Sequence, residues 1–107
     1  MTESEFLDLT DTLLESLQSA LDEAGLDLDY QLNGGVLEIE FDQGAKMVIN
    51  RHLPNREIWV AARSGGFHYA LDDSGRWINT RDGSGLGATL SRLIADTAGQ
   101  AFLWQSE

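Results

Sequence analysis

The 107-residue chain has no cysteine and one proline, and its first 45 residues contain neither lysine nor arginine. Each shortage excludes something. Without cysteine there is no disulfide framework, no thiolate zinc site, no thiol nucleophile and no cysteine-ligated iron–sulfur cluster. A reducing compartment fits, and the cytoplasm is the expected location. Seven basic side chains against 18 acidic ones leave no cationic stripe to neutralise phosphates, so no nucleic-acid partner is expected. No apolar run approaches the roughly 20 residues that span a bilayer, so no membrane partner is expected either. The start, Met1-Thr2-Glu3-Ser4-Glu5, is acidic, the reverse of a signal or transit peptide.

What is present points to one folded domain over residues 1–107: 42% hydrophobic content and three tryptophans argue against disorder. The net charge of −11 is unevenly placed. Residues 1–45 carry 12 acidic side chains, whereas residues 46–107 are nearly balanced, with 7 basic and 6 acidic.

Thr2 and Glu5 form a capping-box pattern at the start of a helix. Phe6, Leu9, Leu13, Leu17, Ala20, Leu21 and Ala24, joined by Leu7, Thr10 and Leu14, fall on one half of that helix at about 100° per residue. Gly25 supplies a stop. Asp8, Asp11, Glu15 and Asp22 lie within an arc of about 60° on the opposite side. The period then becomes two: Leu28, Tyr30 and Leu32 alternate with polar residues, Asn33-Gly34-Gly35 signals a hairpin, and Leu37, Ile39 and Phe41 alternate with Val36, Glu38 and Glu40. Further short strands are expected over residues 46–50, 57–63, 67–71 and 76–79, with His52 in a loop. Ser84 is the expected cap of a last helix bearing Leu86, Leu90, Leu93, Ile94 and Thr97 and ending at Gly99. Phe102 and Trp104 should pack on the body rather than stay wet. Helix, five to six tightly connected strands, helix describes an α+β, two-layer αβ sandwich, with both helices on one face of an antiparallel sheet.

Two motif matches fail on context. Gly83-Ser84-Gly85-Leu86-Gly87-Ala88 reads G-x-G-x-x-A, but no βαβ unit surrounds it. Asp27, Asp29, Gln31 and Glu38 mimic an EF-hand spacing, but Leu32 stands where a glycine must turn the loop. His52 and His68 have no metal-ligand spacing, and no catalytic constellation stands out, so the chain is not expected to be an enzyme.

The acidic face is the main signal. Like charges at i,i+3 and i,i+4 each cost about 0.2–0.5 kcal/mol on a helix, and a face serving solubility alone would mix in lysines. Three readings stay open: a solvated face with no ligand, binding of hard cations by carboxylate oxygens, and docking to a basic protein surface. Ligands on one exposed helix face cannot close a coordination shell, so binding would be weak, exchangeable and tolerant of several divalent cations. Trp59 is the second signal. If the helices cover Ile58, Trp59 faces the open side of the sheet, either lying flat on it or anchoring a partner.

Asn33-Gly34-Gly35-Val36-Leu37, Val48-Ile49-Asn50-Arg51, Pro54, Ile58-Trp59-Val60, Gly65-Gly66-Phe67-His68-Tyr69, Trp77 and Asp82-Gly83 resemble the frataxin family, in its bacterial form. The likeness runs nearly end to end, and the Asn-Arg…Pro…Ile-Trp segment is its most specific part. It implies weak iron binding, ferrous or ferric, and control of iron–sulfur cluster assembly with the cysteine desulfurase and its scaffold protein as partners. The matching acidic-ridge positions are Glu3, Glu5, Asp22, Glu23, Asp27 and Asp29. Asp8, Asp11 and Glu15 extend the candidate metal ligands toward the N-terminus, while Gln18 and Ser19 stand where relatives often carry acids. Asp22, Glu23, Asp27 and Asp29, with Asn50 and Trp59 on the sheet, are the candidate partner-binding residues. Glu57 replaces a common glutamine before the Ile-Trp pair. Proposed for some frataxins, a ferroxidase or storage role is the alternative, although the Glu and Glu-x-x-His ligands of a buried di-iron centre are missing. A further alternative is an acidic inhibitor of a nucleic-acid-binding partner. Mutual repulsion of so much negative charge favours a monomer without metal.

Overall fold

The computed structural model describes residues 1–105. Helix α1 spans Glu3–Ala24 and starts on the expected capping box: the Thr2 hydroxyl accepts from the Glu5 N–H at 3.1 Å, and the Glu5 carboxylate accepts from the Thr2 N–H at 2.9 Å. Gly25 ends the helix. Six strands follow: β1 (Leu28–Asn33), β2 (Val36–Phe41), β3 (Lys46–His52), β4 (Glu57–Ala62), β5 (Gly65–Leu71) and β6 (Trp77–Asn79). Helix α2 spans Leu86–Ala98. The strands pair in sequence order as one antiparallel meander. Hairpin-length connections make this the simplest available topology.

Alternation sets the two layers. Leu37, Ile39, Phe41, Met47, Ile49, Ile58, Val60 and Tyr69 are buried on one sheet face beneath both helices. They meet Phe6, Leu13, Leu14, Leu17 and Leu21 of α1, and Leu86, Leu90, Leu93 and Ile94 of α2. Phe6 packs edge-on against Trp77, with ring centroids 6.2 Å apart. Among the described residues, the opposite face carries no helix.

The tail packs as expected and does more than bury an aromatic ring. Trp104 is 5% exposed. Its indole N–H donates to the Ser16 hydroxyl of α1 at 3.0 Å, and its backbone N–H donates to the Ser91 hydroxyl of α2 at 2.8 Å. One residue thus ties both helices together.

Four expectations need correction. His52 does not lie in a loop: pairing of β3 with β4 continues to His52 opposite Glu57. Ser84 does not cap α2: its carbonyl accepts from the Asn79 N–H of β6, its N–H and hydroxyl donate to Asp82, and the helix starts one residue later, on Gly85, which has no side chain to offer. Leu9, at the margin of the apolar arc, is 46% exposed over a shallow groove bordered by Leu71 and Trp77. Ala24 is exposed as the last residue of α1.

Candidate functional site

The capped, amphipathic α1 keeps its acidic residues exposed, two of them, Asp11 and Asp22, within reach of sheet side chains, and the short connection through Gly25 brings Asp27 and Asp29 directly after it. The structure sorts the nine candidate carboxylates into two groups. Three are engaged. Glu5 is tied to Thr2, whose backbone and hydroxyl hydrogen bonds hold its carboxyl below the usual range. Asp22 accepts a 2.6 Å hydrogen bond from the Tyr30 hydroxyl, and that bond pushes the phenol above its ordinary value. Asp11 is paired with Arg51.

Arg51 belongs to the helix-facing side of β3, between the two layers. Its Nη1 donates to Asp11, and also reaches the Leu7 carbonyl and the Thr10 hydroxyl, each at 3.4 Å. The side chain runs over Gly35, in the tight β1–β2 turn: a Cβ there would lie 2.3 Å from Arg51 Nε. The loss of one methyl group at Gly35 therefore gives Arg51 its route to the acidic helix.

The other six, Glu3, Asp8, Glu15, Glu23, Asp27 and Asp29, are exposed and have no side-chain hydrogen bond or ion pair among the described residues. Asp8 and Glu15 are about 10 Å apart along the helix axis, and Glu15 and Glu23 about 12 Å, at 1.5 Å per residue. Such spacings are far beyond the reach of one ion's inner shell. Among the described residues, no three Asp, Glu, His or Cys side chains gather as a metal cluster.

The negative surface continues around the β1 edge onto the open sheet face. Asp29 lies directly opposite Glu40, and Gln31 opposite Glu38. Lys46 offers Glu40 only a loose partner at 3.9 Å, with both side chains largely exposed. Glu38 and Glu40 are not among the candidate ligands or partner residues read from the sequence, although the alternation of β2 and the two-residue hairpin turn put them on the same face as Asp29.

Further across that face, Asn50 lies opposite Trp59. Trp59 does not lie flat on the sheet. Its indole stands between two imidazoles: His52 at a centroid distance of 3.7 Å and an angle of 10°, and His68 at 4.3 Å and 8°. The indole N–H donates to Glu57 at 2.8 Å, and the same carboxylate oxygen is 3.8 Å from His68 Nδ1. Glu57, the departure noted in the sequence, is therefore the polar anchor of the tryptophan. Neither histidine stood out by spacing, because the stack exists only once three strands are in register.

A two-layer α+β sandwich, with an acidic first helix laid across one face of a six-stranded antiparallel sheet and a tryptophan on the uncovered face, is the frataxin architecture. The chain belongs to the frataxin family: the family model for a frataxin-like domain matches residues 1–100. The iron–sulfur cluster assembly protein CyaY of Neisseria meningitidis serogroup B is 43% identical over 101 residues, covering 94% of each chain. The protein of that name from Vibrio cholerae is 42% identical over 104 residues, covering 97% of this chain and 99% of its own. Frataxin from Psychromonas ingrahamii superposes with a TM-score of 0.91 at 33% identity, over 98% of this chain and 99% of its own. A trimeric frataxin from Saccharomyces cerevisiae, solved in a ferrous complex, superposes with a TM-score of 0.69 at 29% identity, over 94% of this chain and 88% of its own.

Proposed function

We propose that this chain serves iron–sulfur cluster assembly as a non-catalytic regulator, holding iron weakly on carboxylates and docking to the cysteine desulfurase and its scaffold protein. The observation that supports it best is the continuous run of unpaired, exposed carboxylates from Asp8 through Glu15 and Glu23 to Asp27 and Asp29, in a member of a family whose relatives carry the assembly name. Iron is cargo here. Isolated carboxylates about 10–12 Å apart along α1 recruit ferrous or ferric ions one at a time, with water completing each shell, and other divalent cations compete. The same field favours fast, salt-sensitive association with a basic surface on the desulfurase. Asp11 contributes less than its sequence position suggests, because Arg51 neutralises it. Of the three acids nearer the start, Asp8 and Glu15 are left to compensate for Gln18 and Ser19.

An NMR titration under anaerobic conditions tests both parts, using ferrous ion in one arm and the purified desulfurase in the other. Iron should broaden amides around Asp8, Glu15, Glu23, Asp27 and Asp29 at several sites in parallel. Reversing Asp22, Glu23, Asp27 and Asp29 to lysine should abolish desulfurase binding. Unchanged desulfurase affinity in that variant would defeat the docking surface, and one saturable iron site with a closed ligand set would defeat the diffuse-binding reading.

A further inference from the structure

The indole of Trp59 has no open ring face: His52 covers one side and His68 the other. Its only donor is spent on Glu57. A partner that uses this tryptophan must therefore remove a cap, and the two caps are held differently. His68 has, besides the stack, the Glu57 carboxylate at 3.8 Å from its Nδ1. The Nδ1 of His52 is buried with no hydrogen-bond partner among the described residues, so no polar contact at that atom holds the ring in the stack and leaving restores its hydration. His52 is the removable cap.

The place it would vacate has a definite chemistry. One wall is the indole face. Glu57 lies directly opposite His52 in the β3–β4 register, and Asn50, two residues away on β3, lies opposite Trp59. An aromatic face beside a carboxylate suits a flat cation. Arginine fits better than lysine, because its guanidinium plane stacks on an indole while its edge donates to a carboxylate. Glu38, Glu40 and Asp29 lie on this face of the neighbouring strands, with Lys46 beside Glu40, while Arg56 in the adjoining turn is tied to the Leu53 carbonyl. We propose that His52 is a displaceable cap on Trp59, and that the slot beneath it, walled by Trp59 and Glu57, receives an arginine side chain of the protein partner. This rests on the docking reading above and adds to it the residue that the partner inserts.

The test has two arms. In the first, the protein alone is titrated with N-acetyl-arginine methylamide and, separately, with its neutral citrulline counterpart, following the Trp59 indole N–H resonance assigned with Trp59→Phe. The arginine compound should bind roughly 3- to 10-fold more tightly to His52→Ala than to the unaltered protein, the worth of one aromatic stacking contact. His52→Gln should behave like His52→Ala. Adding Glu57→Gln should erase the advantage of arginine over citrulline. Equal binding with and without His52, or no preference for arginine over citrulline, overturns the slot. In the second arm, the purified desulfurase–scaffold complex is bound to the unaltered protein and to His52→Ala. Tighter binding of the variant supports the proposal. Equal affinity overturns arginine insertion and leaves docking intact. No binding by either, with the first arm positive, means that the slot exists and the docking reading fails.

Discussion

Replacing Gly35 by alanine should cost more than the backbone alone explains, and the excess should disappear when Arg51 is also removed. Gly34 and Gly35 both have positive φ, at 57° and 83°. A Cβ in that region costs roughly 1–2 kcal/mol through its clash with the following carbonyl. At Gly34 nothing lies within 4 Å of the added atom, so Gly34→Ala measures the backbone cost only. At Gly35 the new methyl would meet Arg51 Nε, Cδ and Cγ at 2.3, 2.9 and 2.9 Å. Arg51 cannot retreat and still hold α1, because its far end is anchored at Leu7, Thr10 and Asp11. Losing that anchor costs about 1–2 kcal/mol, a charged hydrogen-bond value reduced because Asp11 is 56% exposed. Gly35→Ala should therefore destabilise by about 2–4 kcal/mol and Gly34→Ala by about 1–2 kcal/mol. Urea unfolding of Gly35→Ala, Arg51→Ala and the double variant closes the cycle. The double variant should be more stable than the sum of the singles predicts, by about 1 kcal/mol or more. Strict additivity would refute the claim that Gly35 exists to let Arg51 pass.

Three further outcomes follow from the same geometry. Trp104→Ala should cost about 3–5 kcal/mol in chemical denaturation, as for other buried aromatics, whereas Leu103→Ala, 77% exposed, should be nearly neutral. Arg51→Ala should unmask Asp11 and strengthen ferrous-ion broadening around residues 8–15 in NMR spectra; an unchanged pattern would mean that Asp11 adds nothing to the ridge. Asp72 accepts hydrogen bonds from the Arg76 and Ser74 N–H groups and the Ser74 hydroxyl, which hold its carboxyl below the usual aspartate range. Its contribution to the β5–β6 turn is thus present above that range and lost as pH falls through the lowered value. The Ser74 and Arg76 amides should report a titration below the normal aspartate midpoint, and a midpoint at or above normal would contradict these bonds.

Local patterns carried the fold because the determinants are local. Thr2 and Glu5 are three residues apart, the Gly34-Gly35 turn fixes its own register, and alternation assigns each strand residue to a face. The acidic face was legible for the same reason. What escaped depends on contacts between distant segments. Arg51 is 40 positions from Asp11, and nothing in either neighbourhood announces the other. The His52–Trp59–His68 stack needs the lengths of two turns to be right at once, since a shift of one residue in either would send an imidazole to the other face. Ser84 is not the cap because its carbonyl is taken by the Asn79 N–H of β6, which shifts the first helical carbonyl to Gly85. Leu9 was misplaced because helical periodicity marks an apolar arc but not how far the neighbouring layer extends beneath its margin.

The opposed carboxylates Asp29 and Glu40, and the lysine-free outer arc of α1, carry a thermodynamic consequence of their own. Self-repulsion of this kind is relieved by unfolding, when the charges move apart, and is weakened by any dissolved cation. The melting temperature should therefore climb with ordinary salt, and divalent ions should raise it further without choosing a site. The stability of this acidic edge should therefore track the ionic strength and divalent-ion content of its surroundings. Any thermal shift on adding iron consequently contains a share that magnesium at the same concentration would also produce, and only the remainder reports on iron itself.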